Sequence, residues 1–194
     1  MDKNYINKLL DISTDQISDN IFPYNNDNEA IRKLLRKKNG FFAFVGALHI
    51  FSYDEYKKIA DILKKNALYD KECFYFGEDI FGNLFCEKNG KYYLLDIETG
   101  SYEFISDDLE AWAKTILDNY NYYTGYQLAY EWQKKNRKLK DNERLIPKIF
   151  FVLGGDFKID NLYPMDRLDA LNLRLDFYNK LKNLSDNDKI IIET

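Results

Sequence analysis

Histidine occurs once in this chain of 194 residues, as His49, and cysteine twice, as Cys73 and Cys86. That scarcity removes most of the side chains that grip metals or move protons near neutral pH. Neither cysteine belongs to a CxxC pair, and no HExxH or EF-hand pattern occurs. Both thiols fall in strand-like segments among aromatic residues, so they read as reduced packing rather than a disulfide. Such surroundings should raise a thiol pKa, which argues against a nucleophile. A lone histidine inside an apolar stretch reads as a hydrogen-bonded core residue. Glycine-rich phosphate cradles are missing as well: Gly154-Gly155-Asp156 lacks the Gly-Lys-Ser/Thr close of a P-loop, and no GxGxxG or GxSxG is present. The longest apolar run, Phe41 to Phe51, is short of the ~20 residues that span a bilayer. Met1-Asp2-Lys3-Asn4 opens polar sequence rather than a secretory leader. The expectation is a cytoplasmic, non-catalytic chain with no membrane contact, no cofactor and no metal.

What the chain has in quantity is aromatic surface, 16 Tyr and 14 Phe. Such rings fill cores, and they also anchor interfaces at low entropic cost. The net charge is −4, with a pI near 5.2. An acidic chain repels phosphate backbones and favours a basic partner, so direct nucleic-acid binding is not expected. The basic run Arg32, Lys33, Arg36, Lys37, Lys38 reads as the solvated face of a helix, placed well near its C-terminus.

Helical spacing predicts short helices over Tyr5–Leu10 and Glu29–Lys38, with Ile31, Leu34 and Leu35 inward. Residues 11–28, rich in Asn and Asp and holding Pro23, read as a loop, with Asp27 opening the second helix. Asn39-Gly40 stops that helix. Leu48–Phe51 reads as a strand, and Ser52 with Glu55 forms a capping box that opens a helix to about Leu63. A strand-rich block follows: Cys73–Phe76, Asn83–Glu87, Lys91–Asp96 and Tyr102–Ile105. Asn89-Gly90 supplies the positive φ angles of a type I′ hairpin turn, and Glu98-Thr99-Gly100 closes a second hairpin. Asp107-Asp108 then opens a helix with Leu109, Trp112, Ile116 and Leu117 buried. Beyond it, Asn119–Thr124 reads as a polar turn, Tyr126–Gln133 as a helix and Leu139–Glu143 as a polar link. Ile149–Leu153 and Phe157–Ile159 are expected to form a hairpin about Gly154-Gly155. A long helix over Asp166–Leu184 and a last strand, Lys189–Glu193, finish the chain. The fold class is α+β: an antiparallel, or mixed, central meander flanked by helices. One domain is expected, its core over about 27–120 and a helical and hairpin C-terminal extension over about 121–194.

The block Phe76-Gly77-Glu78-Asp79-Ile80-Phe81-Gly82-Asn83-Leu84-Phe85, followed by Tyr92-Tyr93-Leu94-Leu95-Asp96-Ile97-Glu98-Thr99-Gly100, resembles the core of the SUKH superfamily. Asn39-Gly40, the strand at Leu48–Phe51 and Tyr53-Asp54-Glu55-Tyr56 fit the same pattern, and Asp107, Trp112 and Gly125–Trp132 are similar to immunity proteins paired with type VI secretion toxins. The resemblance implies a bacterial immunity protein, the protective half of a toxin–antitoxin pair. Its partner would be a cognate toxin effector domain, plausibly a nuclease, whose active site it occludes. It carries over no catalytic residue. Within the motif, Asp79 can hydrogen-bond its own turn. The candidate partner-binding residues are Glu78, Asp79, Asp107, Asp108, Tyr122 and Tyr123, the last two open to either core or surface. The rival readings are a regulatory scaffold that binds a host protein and an enzyme working through carboxylates alone, which a deep pocket with two converging acids would support.

Overall fold

The computed structural model describes residues 4–20 and 29–183. The expected strand Lys189–Glu193, and Pro23 and Asp27 of the first loop, lie outside them.

Six strands run in sequence order through a single sheet: β1 (Phe41–Ala43), β2 (Leu48–Ile50), β3 (Cys73–Glu78), β4 (Leu84–Lys88), β5 (Lys91–Leu95) and β6 (Tyr102–Ser106). Every neighbouring pair is antiparallel, which removes the mixed alternative. The β4–β5 turn is the one its residues dictate, with Asn89 at φ 53° and Gly90 at φ 79°. The apolar run Phe41–Phe51 holds two strands rather than one. Between β1 and β2, Phe44 and Val45 both take φ 52° in a 3-10 turn that Gly46 completes at φ 87°.

Period-two alternation sends the sheet's side chains to two faces. On one face Phe41, Ile50, Phe76 and Phe85 pack against α1 (Tyr5–Asp11), α2 (Glu29–Lys37) and α4 (Leu109–Asp118). Trp112 of α4 meets Phe76 and Phe85 edge-on, at 5.2 and 5.6 Å between centroids. That geometry sets ring edges against ring faces and adds to the burial itself. On the other face Tyr75, Leu84, Cys86 and Leu95 pack against α3 (Tyr53–Leu63) and α7 (Arg167–Lys182). The capping box of α3 is complete, Ser52 Oγ accepting from Glu55 N and Glu55 receiving the Ser52 N–H.

A third apolar cluster sits at the end of the sheet, where Ala47, Ile80 and Phe81 meet α6 (Tyr126–Lys135) and a separate hairpin. That hairpin differs from expectation. It is formed by β7 (Glu143–Pro147) and β8 (Leu162–Asp166), paired from Glu143↔Asp166 to Pro147↔Leu162. Gly154-Gly155 lies inside the long connection, in a loop of 3-10 turns, rather than at a hairpin tip. Asn119–Thr124 also departs from the expected turn, since Tyr120–Thr124 forms the short helix α5, ended by Gly125 at φ 68°.

Gly40 turns the chain from α2 into β1 at φ 77°, and a Cβ there would stand 2.6 Å from Ser52 N. Both the backbone angle and the contact exclude a side chain. Gly40→Ala is expected to cost about 3 kcal/mol in a urea melt, against about 1 kcal/mol at Gly90, where a Cβ meets nothing within 4 Å and only the positive φ is strained.

Candidate functional site

Three arginines are buried in this fold, and each arrives from the C-terminal segment: Arg144 on β7, Arg167 and Arg174 on α7. Arg167, Leu171 and Arg174 recur at helical spacing, so α7 presents two cations and an aliphatic residue on one inward face. Burying a guanidinium is costly unless a carboxylate and hydrogen bonds meet it. Both arginines of α7 find them, as does Arg144.

The larger cluster centres on Glu78, 2% exposed at the end of β3. Its Oε1 lies 2.9 Å from His49 Nδ1, 2.7 Å from Arg144 Nη2 and 3.7 Å from Arg167 Nη1. His49 Nε2 reaches Glu55 Oε2 at 3.2 Å, and Arg167 Nη2 donates to Glu55 Oε1 at 2.9 Å. Phe42 stacks on the imidazole at 4.3 Å between centroids. Burial works to raise the Glu55 carboxyl, but the bonds and charges of His49 and Arg167 outweigh it and hold the group down to about 2. Glu78 is lowered likewise against its burial, chiefly by Arg144 and then His49. Two carboxylates do converge on the one histidine. Both are held ionised, Glu55 chiefly by His49 and then Arg167 and Glu78 chiefly by Arg144 and then His49, the reverse of the raised pKa that suits a general acid.

Asp79 serves the turn that follows β3. It is 4% exposed, and its Oδ1 accepts the Phe81 and Asn83 N–H groups at 2.8 Å each while Oδ2 accepts Asn83 Nδ2 at 2.8 Å. Burial pushes its carboxyl up to about 7, against the pull of Arg174 and of those donors. Arg174 clamps the same loop, donating to Phe81 O at 2.6 Å and Asn83 Oδ1 at 2.7 Å, with Glu98 Oε1 at 3.5 Å. Glu78 and Asp79 are therefore held in the interior, and neither carboxylate is presented to a partner. Cys73 and Cys86 are free and buried. Cys86 is pushed well up by its contact with Cys73 and by burial, whereas that same contact lowers Cys73, contrary to the expectation for both.

The remaining candidates lie at the surface. Asp107 is exposed, and Asp108 caps α4 by accepting the Ala111 N–H at 2.7 Å. Both border a shallow depression together with Glu29 and Glu87. Tyr122 is 70% exposed and Tyr123 partly so, their rings edge-on at 4.9 Å. Tyr122 Oη donates to Glu103 Oε2 at 3.1 Å, which ties α5 to β6. Strand β6 is the last of the sheet, and among the described residues no strand pairs with its outer side. On it Phe104 is 50% and Tyr102 39% exposed, both against Tyr93 of β5. Sequence reasoning passed over Tyr102, Glu103 and Phe104. Their signal was an alternating aromatic–acid–aromatic triplet on the final strand of a meander, where an unpaired edge is to be expected.

Among the described residues, no group of three or more His, Cys, Asp and Glu side chains is arranged to hold a metal ion, and no helix is long and apolar enough to cross a membrane. An α+β protein with one antiparallel meander and a buried ionic clasp is thus what the fold and its polar interior define. No family model and no curated protein matches the chain. Among solved structures it is similar to Atu4351 from Agrobacterium tumefaciens, with a TM-score of 0.56 and 16% identity over 86% of each chain. At that identity the likeness is one of fold.

The clasp sets the response to acid. With its folded pKa below the ordinary carboxylate value, Glu55 adds stability above about pH 4.5 that is lost as pH falls towards 2. The gap between the ordinary carboxyl value of 4.5 and about 2 corresponds to an upper bound on the order of 3 kcal/mol. Glu55→Gln is expected to lower stability at pH 7 and flatten its decline between pH 5 and 2, read from urea melts across that range. An unchanged acid limb in the variant would show that Glu55 carries none of it.

Proposed function

We propose that this chain is a non-catalytic binding protein of the immunity type, which captures a secreted toxin's effector domain through the corner formed by β6 and α5. The observation that carries the reading is the β6 edge, unpaired among the described residues, with Tyr102, Phe104 and Tyr122 exposed around Glu103. An open strand edge offers backbone groups to an incoming strand, and alternate side chains supply the selectivity. Aromatic rings at such a site are the residues most often found to dominate binding energy. Glu103, Asp107 and the chain's net charge of −4 favour a basic partner and would speed its encounter, a property expected of a domain that must hold nucleic acid. The SUKH-like motif residues supply the toxin in this reading. In this protein they act as scaffold: Glu78 and Asp79 fix the β3–β4 turn and the clasp behind it, and the contact surface lies on neighbouring elements.

The test is co-purification with the product of the adjacent toxin gene, coupled to survival of cells expressing that toxin. Phe104→Asp is expected to weaken binding by about 2 kcal/mol, roughly thirtyfold in Kd, and to abolish protection, with Tyr122→Ala about tenfold weaker. Both sites are exposed, so melts should shift by no more than about 1 kcal/mol. Absence of both binding and protection by the wild-type chain sinks the proposal; wild-type affinity in both variants moves the contact surface elsewhere.

A further inference from the structure

At the opposite edge of the sheet, β1 walls a groove of about 590 Å³ whose far side is formed by residues 130–144. Segment 14–18 lies along the outer side of β1, with Thr14 N donating to Phe42 O at 2.8 Å and Ile17 N to Gly40 O at 3.0 Å, so this edge is already occupied and a further strand is not its natural guest. The volume suits a small organic molecule. Ile12, Phe42, Phe44, Val45, Tyr130 and Leu139 give the walls their apolar character.

Three independent features point to the ligand's charge and place. The groove gathers Lys134, Lys138, Lys140 and Arg144 against Asp141 and Glu143 alone. Glu143 is engaged by Arg137 in two hydrogen bonds of 2.7 and 2.8 Å and Arg144 is ion-paired with Glu78, which leaves Lys134, Lys138 and Lys140 against Asp141 and a positive local field within an acidic chain. Arg144, 2% exposed, donates through Nη1 to Glu143 O at 2.6 Å. Its Nη2 is ion-paired with Glu78 Oε1 at 2.7 Å, which leaves Nε as the buried donor without a hydrogen bond. A buried guanidinium with a donor to spare can meet an anion. Finally, Val45 is held at φ 52° and ψ 35° while 52% exposed. A β-branched residue rarely adopts that conformation, and Gln133 Nε2, donating to Val45 O at 3.0 Å, ties it to the opposite wall. Backbone strain of this kind gathers at binding sites.

We infer that this groove binds a small organic monoanion with an apolar body, the body against Ile12, Phe42 and Val45 and the anionic head towards Arg144 and Lys138. The site is separate from the β6 edge and stands or falls independently of the toxin reading. The probe is 8-anilinonaphthalene-1-sulfonate, an apolar monoanion whose fluorescence rises on burial, titrated into the full chain at pH 7. Saturable binding to one site is expected, displaced by decanoate or decyl sulfate and not by decylamine; whichever of the two anions displaces better identifies the head group. Ile12→Glu and Lys138→Glu change exposed positions, so both variants should melt as the wild type does while binding the probe about tenfold or more weakly. Lys158→Glu, outside the groove, should bind as the wild type. A non-saturable signal, wild-type affinity in both groove variants, or displacement by decylamine as strong as by decanoate overturns the assignment.

Discussion

One carboxylate, that of Glu78, is the point at which the chain's distant parts are made to agree. It sits at the end of β3 and meets His49 of β2, Arg144 of β7 and Arg167 of α7, while Glu55 of α3 closes the ring through His49 and Arg167. Counted by charge, two carboxylates face two guanidiniums around an imidazole. Remove the C-terminal segment and two acids would be left around one histidine, in an interior that tolerates no unpaired ion. The segment beyond residue 120 is therefore more than a covering. It supplies the cations that allow the meander to end in Glu78-Asp79, and Arg174 repeats the device seven residues on, bonding Phe81 O and Asn83. Buried pairs of this sort add little net stability compared with apolar packing, but removing one member is severe. Their effect is on specificity: α7 can dock in the one register that brings both arginines to their acids.

That arrangement explains which parts of the fold were legible in the sequence. The meander was, because its signals are local: Asn89-Gly90 for a turn, Ser52 with Glu55 for a cap, alternation within five-residue runs. Helices α1 to α4 were legible for the same reason. The β7–β8 hairpin was not. Its strands are separated by a 14-residue loop, the Gly154-Gly155 signal lies inside that loop, and each strand carries a proline, Pro147 and Pro164. Proline demotes a run to an edge or a non-strand, and a two-stranded ribbon has only edges, so both are accommodated.

The candidate site was half legible, and its failures have one cause. Glu78 and Asp79 were candidate contacts in a motif that reads as scaffold first, and the bonds of Asp79 to its own turn were legible. Their arginine partners stand 66 to 95 residues later in the chain, beyond the reach of any spacing rule. Tyr122 stayed open between core and surface in the sequence, and the structure exposes it. Glu103 became visible only when Tyr122 was found bonded to it.

The two edges of the sheet then carry opposite chemistry, for a topological reason. A meander in strict sequence order leaves its first and last strands outermost, and each must be managed. At β1 the preceding segment folds back and its backbone takes the free hydrogen bonds. The resulting wall, bent by the left-handed Phe44 and Val45, opens onto a groove bordered by the lysines of residues 134–140. At β6 the chain turns directly into α4, since Asp108 caps that helix two residues after the strand ends. Among the described residues no strand pairs along its outer side. An exposed edge with rings on it invites association, and the acids beside it, Glu103 and Asp107, disfavour pairing with a second copy of itself while admitting a basic partner. In the proposed reading, selectivity for a foreign protein over self-association follows from where the meander ends.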